Sequence, residues 1–201
     1  MPVKFCSYCA TQLVERIPDG DDRLRPVCPS CGFVHYTNPV TVVGCLVERG
    51  DEILLCKRAI EPSLGLWTVP AGYLELGEGL LVGARRETME EAGADVEIVA
   101  PHSLLDLPHI GQTYALFRAR LKSPSIEAGK ESLEVAFYPP DQIPWQELAF
   151  PAVHFALELL LDDRKQNRAC LHMAQLIWSG SGTRFDARNY SLKEHLLTPL
   201  A

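Results

Sequence analysis

Two Cys-x-x-Cys pairs near the start of the chain constrain its folding more than any other feature. Cys6 and Cys9 form one pair and Cys28 and Cys31 the other, with 18 residues between them. Four thiols at this spacing match a four-cysteine zinc site. Four thiolates at tetrahedral positions complete the coordination of Zn²⁺ and leave no position for a substrate, so the ion acts as a scaffold. Four unrelated buried cysteines rarely fall at this spacing in so polar a segment. A redox pair would sit between a strand and a helix, which neither pair does. The chain has seven cysteines, and an odd count in a reducing compartment favours metal ligation over disulfides. Cys45, Cys56 and Cys170 read as small apolar residues.

The cysteine-bearing segment, residues 1–36, is polar and turn-rich. Composition changes at "YTNPVTVVGCLVERGDEILLCKR", which predicts a β-hairpin: a run from Val40 to Val47, a turn at Gly50-Asp51 and a second run from Ile53 to Cys56. "WTVPAGYLE" predicts a strand and a bend, followed by a helix from Glu78 to Ala92 that stops at Gly93. Further strands are expected at 95–99, 103–107, 113–121 and 133–138, and a second helix at 151–163. This succession of strands and helices predicts a mixed α/β or α+β sandwich with helices packed on a sheet. "SPSIEAGKES" reads as a mobile loop. The expected organisation is a ribbon at 1–36, a larger domain at 37–164 and an extension at 165–201 that either docks on the core or is partly disordered.

At 201 residues, 47% of them hydrophobic, the chain can bury one core plus a small accessory module. Its net charge of -7 argues against a nonspecific duplex-DNA binder that works by neutralising phosphates. Residues 1–36 point the same way, mixing Lys4, Arg16, Arg23 and Arg25 with Glu15, Asp19, Asp21 and Asp22. An acidic chain still binds phosphate when a metal ion bridges the like charges. "MPVKFCSYCATQLVERIPDG" has no apolar signal region, and no stretch is long and apolar enough to cross a bilayer, so the expected location is cytoplasmic and no membrane partner is expected.

"GYLELGEGLLVGARRETMEEAG" concentrates acids on one helix. At about 100° per residue, Glu87 and Glu91 lie about 40° apart beside a stripe of Leu81, Ala84, Thr88 and Ala92. Glu90 lies about 60° beyond Glu87, where Arg86 can reach it across one turn. These acids occupy the C-terminal half, where the helix dipole disfavours negative charge. A solvated charged face would ordinarily explain such residues, but hard divalent cations ligated by carboxylates and substrate phosphates would relieve both penalties. Gly72, Gly77 and Gly79 make a loop into a helix N-terminus, a weak phosphate signal that lacks both the P-loop ending and the Rossmann context.

The run Gly72, five residues, Glu78, seven residues, then Arg86-Glu87-Thr88-Met89-Glu90-Glu91-Ala92-Gly93-Ala94 resembles the Nudix box, with every fixed position matched. Residues 3 to about 163 resemble the subgroup of Nudix hydrolases that carries an N-terminal zinc ribbon. The resemblance implies a Nudix α/β/α sandwich with a mixed sheet, and Mg²⁺- or Mn²⁺-dependent cleavage of a nucleoside diphosphate linked to another group. It implies Glu87 and Glu91 as metal ligands, with Glu90 as a third ligand or the base. Glu78 would support the metal shell through water, Arg86 would orient a glutamate, and the Gly72 backbone would lie close to the metal. The base comes either from the box or from a later loop, where Glu131 and Glu134 are the candidates; the box with Glu134 assisting is the expectation.

Arg58, Trp67, Tyr73, His109 and Tyr114 are expected to contact a small-molecule nucleotide, against the simpler reading that aromatic residues beside strands are core. By the resemblance, ADP-ribose or FAD is the favoured substrate and AMP the product. NADH or NAD-capped RNA is the alternative, although the stretch S-Q-P-W-P-F-P-x-S of the NADH enzymes is missing after the box. A non-catalytic sensor is a further alternative, set against an intact set of glutamates. A homodimer is also expected.

Overall fold

The computed structural model describes residues 3–200, which form two compact units meeting between Pro39 and Val40. In the first, β1 (Val14–Arg16) pairs antiparallel with β2 (Arg25–Val27), Val14 opposite Val27. Each cysteine pair opens a tight turn: Ala10 N donates to Cys6 O at 2.9 Å and Gly32 N to Cys28 O at 3.0 Å. Val27, Cys6 and Cys28 are buried while Phe5, Tyr8 and Leu24 are exposed. So small an apolar interior needs a further restraint, which a metal ion held by the four thiols would provide.

The second unit is built on a nine-stranded mixed sheet. β3 (Val40–Arg49) and β4 (Glu52–Arg58) form the expected hairpin. "WTVPAGY" splits into β5 (Trp67–Thr68), paired with β4, and β6 (Ala71–Tyr73), paired with β3. Pro70, which has no N–H to give a ladder, lies at the break. Helix α1 (Leu80–Ala92) begins two residues after the predicted start and ends at Gly93, whose φ of 59° allows its N–H to bond Met89 O. β7 (Val96–Leu107) is one continuous strand, not the two expected. Register shifts on either side of Pro101 absorb the proline, so the interruption in the sequence pattern bends the strand without ending it. β8 (Gln112–Leu121) runs antiparallel to β7 and parallel to β3. β9 (Ser132–Tyr138) pairs with β4, and α2 (Pro151–Lys165) follows.

Strand alternation assigns the two faces. Val43, Cys45, Val47, Leu54 and Ala115 join Ala84 and Ala92 of α1 in one cluster; Val42, Leu46, Ile53, Leu55 and Leu116 join Val153, Leu157 and Leu160 of α2 in the other. This is a helix–sheet–helix sandwich in which α1 packs by small residues. Its buried positions are Gly83, Ala84, Glu87, Thr88, Glu91 and Ala92. Leu81, placed by sequence on the buried stripe, is instead 48% exposed. Small side chains let the helix backbone approach the sheet, and that closeness leaves no room for a leucine but carries the glutamates inward.

Residues 165–200, whose structure the sequence left open, extend this sheet. β10 (Cys170–Trp178) pairs parallel with β7, and β11 (Tyr190–Pro199) covers β10 antiparallel. Asp163 of α2 holds the hairpin: its carboxylate accepts from Arg168 Nε at 2.7 Å and contacts His172 Nε2 at 3.0 Å, and His172 Nδ1 lies 3.0 Å from His195 Nε2. A bulge opposite Ala174, with Glu194 at φ 49°, re-aims His195 onto His172. No helix among the described residues is long and apolar enough to cross a membrane.

Candidate active site and metal centres

α1 presents its acids beside the backbone of β6, and Arg86 organises them. The guanidinium grips Glu78 with two bonds, Nε to Oε1 at 2.8 Å and Nη2 to Oε2 at 2.9 Å. Nη1 donates to Glu87 Oε1 at 2.6 Å and to Glu90 Oε2 at 3.0 Å, and Nη2 also reaches Tyr73 O at 3.1 Å. Glu91 lies beyond this fork, where its Oε2 accepts from Ala71 N at 3.0 Å. Gly72 packs against Glu87: a Cβ there would fall on the carboxylate, 2.6 Å from Oε1. Only glycine lets β6 and this acid lie so close.

Burial sets the electrostatics of the two inner acids. Glu91 is 7% exposed, and burial pushes its carboxyl up to about 7, with the Glu87 charge adding to the rise against the Ala71 hydrogen bond. Burial also raises Glu87, opposed by its bond to Arg86. Glu78 moves the other way, held below the usual carboxylate range chiefly by the Arg86 hydrogen bond. One guanidinium thus serves three carboxylates and leaves the fourth, the most buried, without a cationic hydrogen-bond partner among the described residues. Like charges in partial burial are costly without a cation. A divalent ion on Glu87 and Glu91 matches this donor set and would remove the mismatch.

These acids line part of a cavity of about 1070 Å³. It gathers Gly72, Arg86, Glu87, Glu90 and Glu91 with Arg58, Tyr73, His109 and Tyr114. Glu78 meets the group through Arg86. Two sequence expectations are corrected by position. Trp67 lies outside the cavity wall, 4% exposed in the core with its ring 5.1 Å from Tyr138, because β5 turns it toward α2. Glu134 is also outside the wall: it shares strand parity with Ala136 and Tyr138, which face α2, whereas Glu131 lines the cavity. The loop before β9, expected to be mobile, is fastened to the end of α1 by Glu127 N to Ala92 O at 2.8 Å and Gly129 N to Glu91 O at 3.1 Å. That attachment sets Lys130 and Glu131 beside the box acids.

Sequence reasoning missed the wall supplied by α2 and the C-terminal hairpin: Phe150, Arg184, Phe185 and Tyr190. The available signal was "TRFDARNY", two aromatic residues and two arginines interleaved with turn residues.

In the ribbon, the thiols of Cys6, Cys9, Cys28 and Cys31 all lie within 4.8 Å of one another. Sulfur separations are 3.4 Å for Cys9–Cys28 and 3.7 Å for Cys6–Cys31 and Cys9–Cys31. Four sulfurs at about 2.3 Å from a tetrahedral centre stand about 3.8 Å apart, so the set fits a zinc-sized ion. The backbone N–H groups of Tyr8 and Cys31 point at the sulfurs of Cys6 and Cys28, both at 3.4 Å, as supports for thiolate charge.

The NUDIX domain pattern matches residues 38–160. The chain belongs to the Nudix family. A second pattern, the Nudix N-terminal zinc ribbon, matches residues 4–37. Among curated relatives of this Nudix chain, the NAD-capped RNA hydrolase NudC of Chromobacterium violaceum is 37% identical over 111 residues, 51% of this chain and 40% of that protein. Human 8-oxo-dGDP phosphatase NUDT18 is 34% identical over 140 residues, 67% of this chain and 42% of that protein. The chain thus spans about two fifths of the length of these relatives. The crystal structure of a NUDIX hydrolase from Nitrosomonas europaea superposes with a TM-score of 0.82 at 44% identity, covering 86% of this chain and 98% of that one. An ADP-ribose pyrophosphatase from Streptococcus suis, at 22% identity and a TM-score of 0.56 over 68% of this chain and 99% of its own, shares the fold.

Proposed function

We propose that this Nudix protein hydrolyses the diphosphate of a nucleoside diphosphate derivative, with ADP-ribose or FAD as substrate and AMP as a product. The observation that carries the reading is one cavity that joins buried, cation-deficient carboxylates to an aromatic and cationic wall. Glu87 and Glu91 would hold Mg²⁺ or Mn²⁺, which supplies charge neutralisation for the diphosphate and activation of the attacking water. Arg86 fixes the direction of Glu78, Glu87 and Glu90 and so presets the geometry before substrate arrives. Gly72 keeps the cradle wall free of a side chain. Glu90 and Glu131 border the cavity and can accept the proton of the attacking water; Glu131 takes the later-loop position that the sequence assigned to Glu134. Arg58 offers a cation to the diphosphate near Glu91. The four thiols would hold a structural Zn²⁺.

A second reading, hydrolysis of NADH or an NAD cap on RNA, is favoured by the several relatives named NAD-capped RNA hydrolase. These molecules contain the same type of diphosphate, so the two readings differ in the flanking group. The test is a Mg²⁺-dependent hydrolysis panel of ADP-ribose, FAD, NADH and NAD-capped RNA, with Glu91→Gln as control. Release of AMP from ADP-ribose or FAD at the highest rate, lost in Glu91→Gln, supports the first reading. Preference for NADH or capped RNA supports the second, and equal turnover by wild type and Glu91→Gln refutes both.

A further inference from the structure

Phe185 is 45% exposed on the segment between β10 and β11, an unfavourable place for a large apolar ring unless something covers it. The segment is well braced. Asn189 Nδ2 donates to Thr183 O at 2.9 Å, Ser179 N to Asn189 O at 2.8 Å, and Tyr190 Oη to Arg184 O at 2.9 Å while also lying 3.0 Å from His109 Nε2. Arg184 lays its guanidinium 4.8 Å from the Trp178 ring centroid. A loop so tied presents Phe185 in a set position, so its exposure is a built feature.

Inside the cavity Phe185 faces Phe150, with ring centroids 6.4 Å apart. The guanidinium of Arg58 lies 5.0 Å from the Phe150 centroid, and its charge also acts on Glu91. Arg58 therefore links the acids to the aromatic wall. A diphosphate held at the acids and passing Arg58 would bring its attached nucleoside against Phe150 and Phe185. Flat faces and guanidinium planes recognise any base by stacking, worth about 1–3 kcal/mol per base.

The geometry points to the C-terminal hairpin as the nucleobase-recognition wall of the substrate cavity, with Phe185 and Arg184 as its specificity-determining residues and Tyr190 as a positioning residue. This assignment deepens the pyrophosphohydrolase reading and rests on it for the placement of the diphosphate. The ligand class it selects is a nucleotide with an intact aromatic base.

Calorimetric titration of the full chain with AMP and with ribose 5-phosphate, both in Mg²⁺, separates base recognition from phosphate binding. AMP is expected to bind at least about tenfold more tightly than ribose 5-phosphate. Phe185→Ala is expected to erase most of that ratio, and Phe185→Tyr, which keeps an aromatic face, to retain it. Circular dichroism of each variant checks folding. Equal affinity for the two ligands in the wild type, or an unchanged ratio in Phe185→Ala, would overturn the assignment. Because AMP binding needs no turnover, a wild type that discriminates AMP yet hydrolyses no member of the substrate panel would sink the proposed reaction and leave the wall standing.

Discussion

One buried histidine, His102, should couple the stability of this fold to acid. His102 lies on β7 with no exposed surface, and its Nε2 is 3.0 Å from Ala156 O, which requires a proton on Nε2. Nδ1 is buried with no hydrogen-bond partner among the described residues. Protonating it would create a cation in the core, facing His172, Asp163 and Arg118; burial is the largest cause that lowers its pKa from 6.5 to about 4. A histidine depressed in the folded state favours the folded form above its unfolded pKa, so stability is lost as pH falls from 6.5 toward 4. At about 1.4 kcal/mol per pH unit the full window is worth about 3 kcal/mol, and about 2 kcal/mol is gone by pH 5. Glu91, whose carboxyl is raised to about 7, gains stability over the same window, so the His102 loss is read as a difference: from pH 8 to pH 5, denaturant titrations should show wild type losing about 2 kcal/mol relative to His102→Gln, which keeps a donor for Ala156 O but does not titrate. Asp163 is held below its usual range, against burial, by its Arg168 and His172 hydrogen bonds, so its contribution disappears only in stronger acid. The reasoning fails if wild type and His102→Gln lose stability equally, or if an NMR titration finds the folded His102 pKa at 6.5 or above.

The active-site geometry makes its own predictions. Gly72→Ala should drive a Cβ into Glu87 and lower Mg²⁺-dependent turnover about 100-fold, the scale of a misplaced catalytic group, while circular dichroism remains native; near-normal turnover would refute the close-approach role. Arg86→Ala leaves Glu78, Glu87 and Glu90 without their shared cation, so its melting temperature should drop in chelator and recover in part with Mg²⁺. A melting curve unmoved by either change would count against the hub. Elemental analysis should find one zinc per chain, lost in Cys28→Ser; retention of zinc by that variant would contradict the four-sulfur site.

The box acids were legible because their chemistry depends on spacing along one helix, and a helix converts spacing directly into direction. The cysteine pairs were legible for a similar local reason. What escaped was set by contacts distant in sequence. Leu81 matched the apolar stripe by angle, yet the close packing of Gly83 and Ala84 excluded it. Trp67 and Glu134 had suitable chemistry, but strand parity turned both toward α2. The 165–200 segment gave no reading because its hairpin depends on parallel pairing with β7 and on Asp163 and His172, partners that local periodicity does not reveal.

Arg86 also has a meaning for mutational history. Because one side chain satisfies Glu78, Glu87 and Glu90 together, Arg86 cannot drift alone without stranding charge on all three acids. The loop bearing Arg184 and Phe185 shares no ion pair with that group among the described residues. Descendants of such a chain can therefore vary that loop one substitution at a time, while the acids gathered on Arg86 are inherited with it.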